Sequence, residues 1–524
     1  MNKQLEQLSL EARRAVRAGD WSKVGACAKE ILSRRRNSAE AYFLMGLVDK
    51  ASNRPDRAVR SFSRAISLDD RRYDAATELA SQYLLSHQYG EAVALLSRYE
   101  SHMKNSPLYL DIAASIYTNV GLPERALPLH ERADELQPGL ASLRAKLAAC
   151  NVYVGEIDKA KTIYRELLEK FPNHQRNHYE LSRLERATDS THVDQMKAVL
   201  DSTKLTPDKN IYSYYAIGKE LEDLEQWDEA FGYYEMAGAA AAGVANYDVD
   251  TDVRLIDNII EVCDEGWLSD ESAGPAAGIS DKTPVFVVGL PRTGTTLTER
   301  ILSSHSLVES VGETYFMQIV LKRVSGIKST DGMNASIVEA AARKDIKRIY
   351  SGYLEAVAYK LGDKPMFIDK FPENFLYLGF IAKAFPDARI ILLKRNPMDA
   401  CFAMFKQSFF RYAYTLDDLG RYYVSYNRLY EHWRRVLGGR LIEVQYEDLV
   451  SNQESRTRQL LDALDLGFEE ACLNFEQNRT ASNTASTVQI REKVHTRSVN
   501  RWRCFENHLQ LLKDYLGDAG ISLE

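Results

Sequence analysis

Val285–Leu297 reads VFVVGLPRTGTTL. Four β-branched or aromatic residues run into Gly289, four residues pass, and Gly294 closes a G-x-x-x-x-G frame before two threonines. A strand that ends in a glycine-framed loop and reopens as a helix cradles phosphate, because backbone N–H groups and the helix N-terminus both attract anions. Nucleoside-triphosphate enzymes follow the second glycine with Lys and then Ser or Thr, the lysine serving the β/γ-phosphates. Here Thr295 and Thr296 occupy those places, and the cation, Arg292, lies inside the loop. The stretch predicts an α/β domain with an anion site that lacks the triphosphate lysine.

The residues that follow have the same texture. Apolar runs suited to buried parallel strands recur at MFI (366–368), IILL (390–393) and LIEV (441–444). Helical stretches such as TTLTERILSSH and FLYLGFIAKAF separate them, which predicts a parallel sheet with helices on its faces. Ligands of such sheets bind at the carboxyl ends of the strands. Those ends carry GLPRTGTT, Asp369-Lys370, Lys394-Arg395 and Tyr446, so three of the four deliver a cation.

Upstream the pattern changes to a fixed period. Ala58, Ala92, Ala126 and Ala160 stand 34 residues apart, and Gly46, Ala80, Ala114 and Ala148 precede them by twelve. One small residue in each of two helices, repeated at this period, lets paired helices pack closely. Pro138 and Pro172 share the same spacing and punctuate second helices. Extrapolated backwards, the phase reaches Ala12 and Val24; forwards it fades at Ser182 and Asp194 and returns at Gly218 and Ala230. This resembles the tetratricopeptide repeat, a helix–turn–helix unit that stacks into a superhelix with a concave, protein-binding face. Residues 1–265 are expected to form this all-α solenoid, degenerate near 185–208. Residues 266–283 are expected to be a linker, with LSDESAGPAAGISDKTP at 268–284 rich in breakers. Residues 284–524 are expected to form the α/β domain.

Composition sets outer limits. The 524 residues exceed one ordinary core, and the net charge of −7 argues against general nucleic-acid binding. An anionic ligand would need a local basic cluster, and Thr487–Arg503 provides one, with five Arg or Lys against one acid, a balance of +4. The six cysteines are widely separated and form no C-x-x-C pair, which fits a reducing compartment. The charged start and the lack of a long apolar run predict a cytoplasmic protein with no membrane segment.

The ordered set PRTGTT, GE, FIDKFPENF, RNPMDA, YEDLV and TASTVQIREKVHTRSVNRW, over about 284–505, resembles sulfotransferases that use 3′-phosphoadenosine 5′-phosphosulfate (PAPS). The whole layout is similar to the bacterial tetratricopeptide-repeat sulfotransferases and, more distantly, to tyrosylprotein sulfotransferases. The resemblance implies transfer of a sulfuryl group from PAPS to an acceptor hydroxyl, with peptide tyrosine the first acceptor it suggests. No metal is implied, since a phosphosulfate has no γ-phosphate.

The resemblance also implies the site. Arg292, Thr293, Gly294, Thr295 and Thr296 would cradle the 5′-phosphosulfate. Glu313, 21 residues after Arg292, would be the base that takes the acceptor proton. Lys370 and Ser486 would meet the sulfuryl oxygens or the leaving phosphate. Arg395 would hold the 3′-phosphate, Tyr446 the adenosine, and Arg491 and Arg501 a phosphate or the ribose. The related enzymes often have a doubled glutamate where this chain has Glu313-Thr314, and usually a serine where it has Ala403. Lys406, Gln407 and Ser408 are candidates to supply the hydrogen bond that alanine cannot make at that position. Two other readings stay open from sequence: a P-loop-type kinase, opposed by the absent lysine, and an interaction scaffold whose transferase domain has decayed, for which Ala403 speaks.

Overall fold

The structure is a computed structural model that describes residues 2–270, 282–329, 332–484 and 486–523. Most of the expected linker, 271–281, therefore lies outside the described residues. The chain divides into two compact units, Met1–Cys150 and Asn151–Glu524.

The first unit is built of paired helices, among them Asn2–Ala18 with Trp21–Arg34 and Ala39–Ala51 with Pro55–Leu68. Ala12, Val24, Ala58, Ala80, Ala92, Ala114 and Ala126 are all fully buried. Their small size is a packing requirement. A Cβ placed on Gly46 would lie 2.5 Å from the Phe62 ring, so that aromatic fills the space the glycine leaves open. Asp20 and Ser38 cap the second and third helices by accepting from the N–H of Lys23 and Ala41.

The second unit begins with more helical pairs. Gly218 repeats the arrangement of Gly46, since its Cβ would lie 2.9 Å from the ring of Tyr234, sixteen residues on as Phe62 is from Gly46. Where the phase fades, the helix Gln175–Ser182 is only eight residues long, and an irregular segment precedes Thr191–Thr203. Regularity returns with Ile211–Asp223 and Trp227–Ala245.

Five strands then form one parallel sheet: β1 (Thr283–Gly289), β2 (Val308–Gly312), β3 (Met366–Asp369), β4 (Arg389–Lys394) and β5 (Leu441–Gln445). Their order is β2-β3-β1-β4-β5. The register pairs Val285 with Ile368 and Val288 with Leu392. β1, β3 and β4 are apolar because helices cover both faces; Phe286, Val287, Phe367, Ile368, Ile391 and Leu392 are essentially inaccessible. The four strands read from sequence are β1, β3, β4 and β5. β2 was not among them, because VESVG is a sheet edge with only Val308 and Val311 buried. The other edge strand, β5, could be read because it keeps the run LIEV.

Candidate active site

The loop after β1 is shaped by its glycines. Gly289 (φ +145°) leaves β1, and a Cβ there would meet the Leu393 carbonyl oxygen at 2.7 Å. Gly294 (φ +97°) precedes the helix Thr295–Ser303, and its missing side chain makes room for the Tyr446 ring, whose Cδ2 would lie 2.5 Å from a Cβ. Between them Arg292 itself adopts a left-handed φ of +68°. Thr293 ties the loop by donating from Oγ1 to the Leu290 carbonyl at 2.6 Å. Thr295 and Thr296 open the helix, so its free N–H groups face the loop.

Arg292 donates from Nη1 to Ser486 Oγ at 2.6 Å and from Nη2 to Gln489 Oε1 at 3.1 Å, while its Nε has no partner. Burial, then the like charges of Arg395 and Arg183, lower its pKa to about 10. It stays charged at neutral pH. The uncommitted Nε, the strained loop and the helix N-terminus together suit an anion.

Arg395 lies at the end of β4 and reaches back to the same loop. Its Nη1 donates to the Arg292 carbonyl at 2.7 Å and its Nη2 to the Ser498 carbonyl at 2.6 Å. Its Nε is buried and has no partner, and each Nη keeps a second N–H beyond its backbone bond, so the guanidinium retains donors that an anion could take. The Arg395 guanidinium stacks 4.7 Å from the Tyr446 ring, whose hydroxyl meets Ser498 Oγ at 2.7 Å. Loop, Arg395, Tyr446 and the 496–500 segment are thus one assembly.

On the other side of β1, Lys370 is fully buried at the end of β3 and donates to Glu313 Oε1 at 2.5 Å. Glu299, from the helix after the loop, lies 3.5 Å from the same ammonium and accepts from Ser310 Oγ at 2.5 Å. Glu313 is partly exposed, with its charge within reach of Arg292. Behind it, Asp369 accepts from Thr314 Oγ1 (2.9 Å) and Tyr353 OH (2.7 Å), and burial raises its pKa to about 7. Thr314 therefore anchors the Glu313 turn to β3.

Two of the expected cations already have ion-pair or packing partners in this structure. Arg501 is ion-paired with Glu222 of the helix Ile211–Asp223 (Nε–Oε1 3.1 Å) and stacks 4.4 Å from the Trp227 ring. Arg491 packs against Gly155, where a Cβ would lie 2.2 Å from its Cζ, and shares a cationic cluster with Arg300 and Arg479. Of the three candidates to stand in for a serine at Ala403, Lys406 grips both Glu222 oxygens at 2.8 Å and Ser408 Oγ lies 3.2 Å from Tyr179 OH. The Gln407 side chain has no partner among the described residues. Sequence reasoning missed Glu222, Arg183, Glu299 and Ser498. Only Glu299 lay within a stretch of evident helical texture near the loop; Glu222 belongs to a repeat helix whose polar positions carry no period, and Arg183 follows the helix Gln175–Ser182 where the repeat fades.

Residues 284–470 match the sulfotransferase family model, and residues 140–174 match a tetratricopeptide repeat model. An uncharacterized protein of Aquifex aeolicus is 28% identical over 417 residues, 78% of this chain and 54% of that one. The chain thus spans about half the length of that relative. A putative protein-tyrosine sulfotransferase of Caenorhabditis briggsae is 27% identical over 244 residues, 44% of this chain and 85% of its own. The sulfotransferase domain of the Synechococcus PCC 7002 olefin synthase is 18% identical with a TM-score of 0.34, covering 46% of this chain and 98% of that domain. Among the described residues no helix is long and apolar enough to cross a membrane.

Proposed function

We propose that the sulfotransferase-family segment this chain carries over residues 284–470 is catalytically active and moves a sulfuryl group from PAPS to an acceptor hydroxyl. The observation that carries this reading is the Lys370–Glu313 pair, 2.5 Å apart, beside the Arg292 loop. A base, a buried cation and an anion cradle meet there without a triphosphate lysine.

In this reading the acceptor O–H gives its proton to Glu313 as the acceptor oxygen bonds to sulfur. The bond from sulfur to the 5′-phosphate oxygen breaks, and its electron pair stays on that oxygen. Arg292 and the helix N-terminus offset the charge that grows on the leaving phosphate, and Ser486 is held at 2.6 Å from the same guanidinium. Lys370 shares its charge between the base and the sulfuryl oxygens. Tyr446 and Arg395 wall the adenosine side, with the Arg395 N–H donors not bound to backbone left for the 3′-phosphate. Residues 1–265 would present the acceptor or a partner to residues 284–524. Peptide tyrosine is the first acceptor to test, from the named relative and the peptide-binding habit of such repeats.

The test is transfer of labelled sulfate from PAPS to a panel of peptides, saccharides and phenols, alongside calorimetry with adenosine 3′,5′-bisphosphate. Transfer together with bisphosphate binding supports the reading. A protein that binds no bisphosphate is the scaffold of the alternative reading.

A further inference from the structure

A second group of side chains stands close to Glu313 and is not used by the transfer itself. The 3-10 turn Pro372–Tyr377 follows Lys370 directly and carries Glu373 and Tyr377. Glu373 is half-buried and forms no hydrogen bond or ion pair among the described residues. Within electrostatic reach of it is Asp252, from the helix Val249–Val262, which accepts from the hydroxyl of Tyr247 at 2.6 Å. The rings of Tyr412 and Tyr422 stack with centroids 3.9 Å apart and 4° from parallel, and both feel the charge of Glu373 and Asp252. Tyr315, exposed next to Glu313, packs its ring 4.6 Å from Phe371, next to Lys370.

Two features point to a ligand here. Tyr377 and Tyr422 are each more than nine-tenths buried, yet neither hydroxyl has a hydrogen-bond partner among the described residues. Tyr377 shares the turn of Glu373, Tyr422 lies on the helix Leu416–Leu437, and both are within electrostatic reach of Glu373 and Asp252. The second feature is charge balance. Burial, then Asp252 and Glu313, raise the Glu373 carboxyl to about 7, and burial raises Asp252. Among the described residues no lysine or arginine offsets either one. An anionic acceptor brought to Glu313 would meet further uncompensated carboxylates, whereas a cation would supply the missing partner.

We infer that the acceptor carries a positive charge beside the hydroxyl it presents to Glu313, held by Glu373 and Asp252 with the Tyr377 and Tyr422 hydroxyl oxygens accepting from it. This rests on the sulfotransferase reading and names the acceptor class within it. The chemistry is a protonated amine or guanidinium, which a basic peptide or an amino sugar could equally provide.

The experiment uses the full chain, PAPS and two matched acceptor sets: tyrosine peptides flanked by lysine or by aspartate, and an amino sugar with its N-acetyl counterpart. Cationic members should have kcat/KM at least about tenfold above their partners, and Glu373→Gln should bring that ratio towards one. The set that is turned over identifies the source of the charge. Bisphosphate affinity of Glu373→Gln equal to wild type shows that the variant is folded. Preference for the aspartate-flanked or acetylated members, a ratio untouched by Glu373→Gln, or bisphosphate binding with no transfer to either cationic member would each overturn the inference. Loss of bisphosphate binding in the wild-type chain would instead sink the donor reading beneath it.

Discussion

Lys370 is fully buried between two carboxylates, with its ammonium 2.5 Å from Glu313 and 3.5 Å from Glu299. One cation therefore fixes the proposed base and ties it to the helix that follows the anion loop. Lys370→Met would leave two carboxylates facing each other in a poorly solvated place. Stability should fall by about 1–3 kcal/mol in urea unfolding, and the added change Glu299→Gln should restore part of it. Turnover should fall on the order of 10²–10³-fold. A Lys370→Met chain with wild-type turnover would remove this lysine from the mechanism.

Glu313→Gln keeps the shape of the pair and removes the base. Turnover should drop about 10²–10⁴-fold, read as initial rates at saturating PAPS. Bisphosphate affinity should stay within about threefold, because Glu313 touches Lys370 and none of the loop residues. Parallel loss of rate and bisphosphate affinity would mean that Glu313 shapes the nucleotide pocket and does not serve as a base.

Asp369 makes a pH prediction whose sign is fixed by its burial. Its folded pKa, about 7, lies above the ordinary 3.8, so between those values the folded chain holds a proton the unfolded chain has released. Its contribution is fully present below about pH 4 and is lost as pH rises through about 7. Asp369→Asn should flatten the fall in stability across that window by up to about 1.4 kcal/mol per pH unit, the limit for one proton. Urea titrations at pH 4.5, 5.5 and 6.5 would measure this; slopes equal to wild type would show that Asp369 does not titrate there.

Legibility in the sequence followed the physics of each element. β1, β3 and β4 could be read because strands covered on both faces must be apolar, and the repeat because close helix pairs need small residues such as Ala92 at fixed intervals. β2 could not be read, since VESVG interrupts its two buried valines, Val308 and Val311, with Glu309 and Ser310, whereas the other edge strand, β5, keeps the run LIEV. In the site, the Arg292 loop and Tyr446 were each legible at strand ends, and the structure brings them together where the missing side chain of Gly294 leaves room for that ring. Arg501 was chosen from its basic neighbourhood, but its partner Glu222 lies 279 residues earlier in a repeat helix. No local pattern in either segment encodes that pairing.

Glu222 also carries the last prediction. Burial alone would raise its carboxyl, but Lys406 first, and Arg501 with it, bring it below the ordinary value. Lys406 is held by both Glu222 oxygens, and burial still lowers its pKa. Glu222→Gln would leave two enclosed cations without their anion, a change that costs about 3–5 kcal/mol when one partner of a buried pair is removed. The variant's Lys406 would then release its proton more readily in the folded chain than in the unfolded one. A folded pKa below the unfolded value of 10.5 adds stability as pH rises through the interval between them. The deficit of Glu222→Gln against wild type should therefore be largest near pH 7 and shrink towards pH 10, and Lys406→Met in the same background should recover part of it at pH 7. Urea unfolding at pH 7, 8.5 and 10 reads all three quantities, and a deficit independent of pH would rule out Lys406 as the stranded charge.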